Sequence, residues 1–263
     1  MRNLSISVQF ARAVLKHTVA RGLDPVGLLR KNRISPRLLL EDDARISIER
    51  FADLQVSTML AMQDEGLGYA SRRMPIGSWS MMCHAVIGAA TLGQALSRFS
   101  RFYQLFDFGM HPLLREEGER SRVSLVPADQ RSAADSYLSE LFLFNTHRFC
   151  NWLVQESLPI QEIALLHPAA ARASDYHQVF LGNPVHFDRE EARLVFASAL
   201  LDKPLKQNET SLRHFLRHPV LLMLTQNFAT NSWTVRVRDI LRHNLDQLPE
   251  LNEVAARLEL HPQ

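Results

Sequence analysis

The sequence predicts an α+β fold: a helical N-terminal region, a mixed sheet of about five strands with one long helix set into it, and helices to the end. Three observations predict this. Apolar residues recur at helical spacing through residues 6–106. Short alternating or apolar stretches bounded by Gly or Pro are confined to residues 108–197. Helical spacing then returns from residue 208 onward.

The elements follow in order. Residues 6–21 carry Val8, Ala11, Leu15 and Val19 on one helical face, and Gly22 ends the helix. Asp24-Pro25 and Ser35-Pro36 each join a capping side chain to a proline, which predicts short helices over Pro25–Lys31 and Pro36–Leu40. Ser47 caps a helix with Ile48, Phe51, Leu54 and Thr58 on its apolar stripe. Residues 74–78 read as a turn and Trp79–Ala90 as a buried helix. Thr91 and Gln94 have capping-box spacing, opening a helix whose broad face holds Leu92, Ala95, Leu96, Phe99, Phe102, Tyr103 and Phe106.

Residues 108–115 and 121–126 flank a Glu- and Gly-containing turn and predict a hairpin, with Pro112 confining its strand to an edge or a bulge. Ala133–Glu156 is the longest predicted helix. Residues 161–167, 183–187 and 193–197 predict three more short strands, with a helix over 174–181 that Gly182 stops. Asn208 caps the next helix, Pro219 breaks or restarts it, and Ser232 caps Trp233–Leu245.

The last sixteen residues, LPELNEVAARLELHPQ, suggest the first half of a helix-turn-helix. Leu251, Val254, Ala255 and Leu258 share a face, and His261-Pro262 suits the start of a second helix. Such a second helix would enter the major groove of DNA. The chain stops at its first turn, so the expectation is that the remainder of a DNA-binding domain follows Gln263 in a longer protein.

Bulk composition narrows the function classes. The 263 residues include 46% hydrophobic and 22% charged residues, ordinary for a globular chain with a sizeable core. The net charge is +2, and residues 206–263 hold seven Lys or Arg against six Asp or Glu, so no basic footprint marks a complete nucleic-acid site. The two cysteines, Cys83 and Cys150, are too few for a disulfide framework or a zinc site. No leader peptide or membrane span is read, which predicts a cytoplasmic location. No P-loop, G-x-S-x-G or H-E-x-x-H motif occurs, so neither an enzyme, a metal nor a cofactor is expected. His147 and Cys150, at i and i+3, are the one thiol–imidazole pairing, and without third partners they read as structural.

Two internal stretches join the tail in resembling one family. FLGNPVHFDREEARLVFASALLDKPL (residues 180–205) and MPIGSWSMMCHAVIGAATLGQALSR (residues 74–98) resemble the N-terminal effector and dimerisation domain of AraC/XylS-type bacterial transcription regulators. The resemblance implies an effector and dimerisation domain over 1–205, linker or dimerisation helices over 206–231, and the start of the DNA-binding domain over 232–263. It makes Trp233–Leu245 the first helix of that domain, Leu251–Leu258 the first helix of its helix-turn-helix, and His261 and Gln263 the start of the recognition helix. Glu259-Leu260 departs from the family, which often has glycine at the turn. The implied partners are promoter DNA, a second copy of the chain and a small effector.

The residues themselves argue against a sugar as that effector, because the best-patterned helices offer mainly Phe, Leu and Met. Trp79, His84, Tyr103, His147 and Trp152 are the polar-tipped candidates for a ligand pocket. Leu212, Phe215, Leu216 and Leu222 exceed what one helix face needs and are the dimerisation candidates. The alternative function is a ligand-binding or protein-interaction module without DNA binding.

Overall fold

The computed structural model describes residues 4–106, 108–129, 135–169, 173–226 and 253. The chain divides into two compact units, Met1–Gln226 and Asn227–Gln263. The expected helix Trp233–Leu245, the helix-turn-helix start and the candidates His261 and Gln263 lie outside the described residues. No described helix is long and apolar enough to cross a membrane.

The first unit is α+β, as the sequence predicts. A two-stranded ribbon opens it: β1 (Ser5–Ser7) pairs antiparallel with β2 (Arg45–Ser47). Each strand ends in a serine that caps the next helix. The Ser7 hydroxyl accepts from the Gln9 N–H before α1 (Val8–Leu15), and Ser47 accepts from the Arg50 N–H before α3 (Ile48–Met62). Between them lies α2 (Pro25–Lys31), capped by Asp24. The single helix expected over 6–21 is therefore corrected. It begins as strand, is helical over Val8–Leu15, and finishes in a 3₁₀ turn at Val19–Arg21, where Val19 is 69% exposed rather than in the core.

Helix α4 (Ser78–Ile87) and helix α5 (Leu92–Phe106) pack on each other. The capping pair works as expected at Thr91, whose hydroxyl accepts from the Gln94 N–H, while Gln94 Oε1 reaches back to the Ala90 N–H. Only one side of α4 is buried, since Met81 and His84 face outward.

The sheet runs in the order β3-β4-β7-β5-β6. Strands β3 (Met110–Glu117) and β4 (Arg120–Pro127) form a hairpin across Gly118, whose φ of 65° fits the tight turn. Pro112 sits on β3, the edge strand, where its missing donor costs no ladder bond to a further strand. Strand β7 (Ala192–Ala197) pairs antiparallel with β4 and with β5 (Glu162–Ala164). β6 (Val185–His186) runs parallel to β5, joined to it through α7 (Ala173–Val179). Helix α6 (Tyr137–Val154) lies on β4 and β7 and is buried nearly all round. Helices α8 (Glu209–Phe215) and α9 (Pro219–Thr225) complete the unit, and α9 packs on α3 and α6. Asn208 caps α8 in a reciprocal box with Ser211.

Candidate functional site

The site begins with a loop. Asp64, buried at the end of α3, accepts from the backbone N–H groups of Gly66 (2.9 Å), Gly68 (3.1 Å) and Met74 (3.0 Å), with Arg21 at 3.8 Å. One carboxylate thereby fixes the return of the chain from α3 to α4. The next residue, Glu65, is placed by this loop at the start of α4. Its Oε1 accepts from the Gly77 N–H at 2.7 Å and its Oε2 from the Trp79 N–H at 2.8 Å, satisfying two orphan donors of the helix N-terminus. Burial pushes the Glu65 carboxyl above its ordinary range, the two backbone donors pull it down, and Asp64 adds to the rise.

Beside this loop lies a cavity of about 440 Å³, within the range of small-molecule sites. Its wall draws on Gln55, Val56 and Met59 of α3, Trp79 of α4, Tyr103 of α5, and Leu141, Phe142 and Asn145 of α6. Leu216, Val220 and Met223 close it on the side of α9. The lining is mostly apolar, with a few polar groups set into it. Glu65 is one; Gln55, only 5% exposed, and Asn145 are others. Trp79 contributes an indole Nε1–H that is buried and makes no hydrogen bond among the described residues. Tyr103 is 1% exposed, ringed by Phe99 and Phe142 at about 5 Å, and burial raises its phenol well above the usual value, so it keeps its proton.

Two of the five ligand candidates, Trp79 and Tyr103, thus meet at one cavity. The other three do not. His84 is at the surface, 3.3 Å from Glu209. Trp152 stacks on Phe215 at 4.5 Å and on Phe149 at 5.7 Å, so its ring is part of the core. His147 is buried on α6 beside Cys150, at a void of about 20 Å³ that has room for no more than a water-sized group. Its ring nitrogens can be told apart. Asn151 Oδ1 is taken by the Leu158 N–H, so Asn151 Nδ2 faces His147 Nε2, which must accept. Burial first, and the Arg148 cation second, push this imidazole down to about 3. Burial pushes the Cys150 thiol up to about 12, far from a reactive thiolate. Among the described residues no group of three His, Cys, Asp or Glu could hold a metal ion.

Of the dimerisation candidates, Leu212 and Phe215 are buried within their own chain, because α8 presses them against α4 and the Trp152 ring. Leu216 lines the cavity, and Leu222 is 40% exposed on the outer side of α9.

One buried cation carried no sequence signal. Arg148, 2% exposed on α6, has no acidic partner among the described residues. It donates instead to the carbonyls of Val179 (2.6 Å), Gln178 (3.3 Å) and Gln226 (3.0 Å), tying the end of α7 and the residue after α9 to the central helix. Its face also covers the Phe144 ring at 5.5 Å.

Residues 22–205 match the family described as the arabinose-binding domain of AraC transcription regulator, N-term. No curated protein matches the chain. Among solved structures it is similar to the crystal structure of transcriptional regulator CdpR from Pseudomonas aeruginosa, with a TM-score of 0.43 and 15% identity over 95% of this chain and 75% of that one. With a match over most of its length, the chain belongs to the family of AraC-type transcription regulators that carry this N-terminal domain.

Proposed function

We propose that the chain is the sensing and dimerising part of a DNA-binding transcription regulator that acts in the cytoplasm. A small, largely apolar effector occupies the cavity between α3, α6 and α9. Promoter DNA is read through the helix-turn-helix that Leu251–Leu258 begins. Residues 1–205 are proposed as the effector domain, 206–231 as its connecting helices and 232–263 as the start of the DNA-binding domain.

The observation that carries this reading is the position of α9. Leu216, Val220 and Met223 wall the cavity, and Thr225 ends α9 two residues before the second unit begins at Asn227. Arg148 holds the Gln226 carbonyl at that junction. An occupant in contact with α9 has differential affinity for any arrangement in which α9 moves, which is the requirement for shifting a population. Pairing through α9 around Leu222 would place two reading heads on paired half-sites.

The test is a genome-wide pull-down of DNA with the full-length natural protein. Enrichment of a discrete set of promoter fragments supports the proposal, and uniform recovery of the genome overturns it.

A further inference from the structure

Among the charged residues that line the cavity, Glu65 alone is not exposed. Glu65 brings a carboxylate, and no Lys, Arg or His side chain among the described residues pairs with it. Arg217 and His218 ahead of α9 and Asp53 on α3 also line the cavity, and all three are exposed. The buried and half-buried polar groups of the wall besides Glu65, namely Asn32, Gln55, Ser57, Asn145, Tyr103 and the Trp79 Nε1–H, are neutral.

An ionised carboxylate has about four acceptor positions. The N–H groups of Gly77 and Trp79 use two, one on each oxygen. The fold has already desolvated this group, so a cation arriving there bears only its own desolvation cost. Trp79, Tyr103 and Phe142 line the same cavity, and aromatic faces attract cations too. A ligand carboxylate placed against Glu65 would set like charges together.

We propose that the cavity selects a ligand with a protonated amine on an apolar body, its ammonium pairing with the Glu65 carboxylate while the body fills the space between Tyr103, Phe142 and Met223. This rests on the reading of the cavity as an effector site. The amine donates to the free positions of both carboxylate oxygens, and the apolar part lies against α9. The indole N–H of Trp79 is left for an acceptor elsewhere on the natural ligand.

Three probes with one body and different heads test it: 4-phenylbutylamine, 4-phenylbutan-1-ol and 4-phenylbutyrate, titrated calorimetrically into the whole protein at pH 7.5. A charge-assisted hydrogen bond at a desolvated site predicts that the amine binds about tenfold tighter than the alcohol, or more, with the butyrate weakest. Glu65→Gln should bring the amine to the level of the alcohol. Because Glu65 also tethers the start of α4, a second readout uses the unaltered protein. The Trp79 indole N–H resonance should shift on addition of the amine and saturate at the same concentration as the heat. Equal affinity for amine and alcohol, tighter binding of the butyrate, an amine preference that survives in a folded Glu65→Gln, or an unmoved Trp79 signal each overturns the amine assignment. If the alcohol or the butyrate binds with the Trp79 shift, the effector cavity itself stands. If none of the three binds, that reading falls as well.

Discussion

The buried imidazole on the central helix makes the protein lose stability in acid, by an amount that can be worked out. His147 is 1% exposed, with Arg148 next in sequence and no carboxylate among the described residues acting on it. In the unfolded chain it titrates near 6.5, and in the native fold at about 3. Above pH 6.5 it is neutral in both states and exerts no pH-dependent effect. As the pH falls below 6.5, the unfolded chain takes up a proton that the native site refuses, and stability declines through the window from 6.5 to about 3. At about 1.4 kcal/mol per pH unit, the loss at pH 4.5 is roughly 3 kcal/mol. His147→Gln removes the titration and keeps an acceptor for Asn151. His167 works in the opposite direction. Its hydrogen bond to Glu140 raises its pKa, so its contribution is present at low pH and fades as the pH rises through the folded value. Urea unfolding of both proteins at pH 7.5, 6.5, 5.5 and 4.5, followed by circular dichroism, isolates His147 as the difference between two curves. The variant should close on or overtake the wild type by about 2–3 kcal/mol between pH 7.5 and 4.5. Curves that stay parallel over this range would refute the buried, neutral assignment.

Two further outcomes are expected. Arg148→Met strips hydrogen bonds from three backbone carbonyls while relieving the cost of a buried charge, and should destabilise the first unit by ~3 kcal/mol in the same urea assay; a change under ~1 kcal/mol would show that those carbonyls find other partners. Leu222→Asp places a charge on the exposed side of α9 and should shift the protein from dimer to monomer in sedimentation velocity, whereas a dimer of unchanged strength would move the proposed interface elsewhere.

Much of the fold was readable because its signals are local. Ser47, Asp24 and Asn208 announce helix starts through their own side chains, and each makes the expected cap bond. Pro112 marks an edge strand by the donor it lacks. The ribbon of β1 and β2 was missed because three residues are too few to show alternation, and because Ser7 ends a strand and caps a helix at once. The site was half legible. Trp79 and Tyr103 stood out as polar-tipped rings on apolar helices, but His84, His147 and Trp152 meet the same description and lie at the surface or in the core. That criterion cannot tell a cavity from tight packing, since helix neighbours decide it. Asp64 and Glu65 resembled ordinary surface charge. Their partners are backbone N–H groups two to fourteen residues away, and a backbone donor has no residue type to signal it. Arg148 escaped notice for the same reason, its acceptors being carbonyls.

The central claim is that what enters the cavity governs what the regulator does on DNA. Ala52 lines that cavity on α3, and Ala52→Trp sets an indole into it. The decisive measurement compares promoter occupancy and transcription for the full-length natural protein and this variant across growth conditions. The account predicts the same promoters bound by both, with a response to conditions in the wild type that the variant has lost. A variant that responds as the wild type does, or a wild type that binds no promoter, would contradict it.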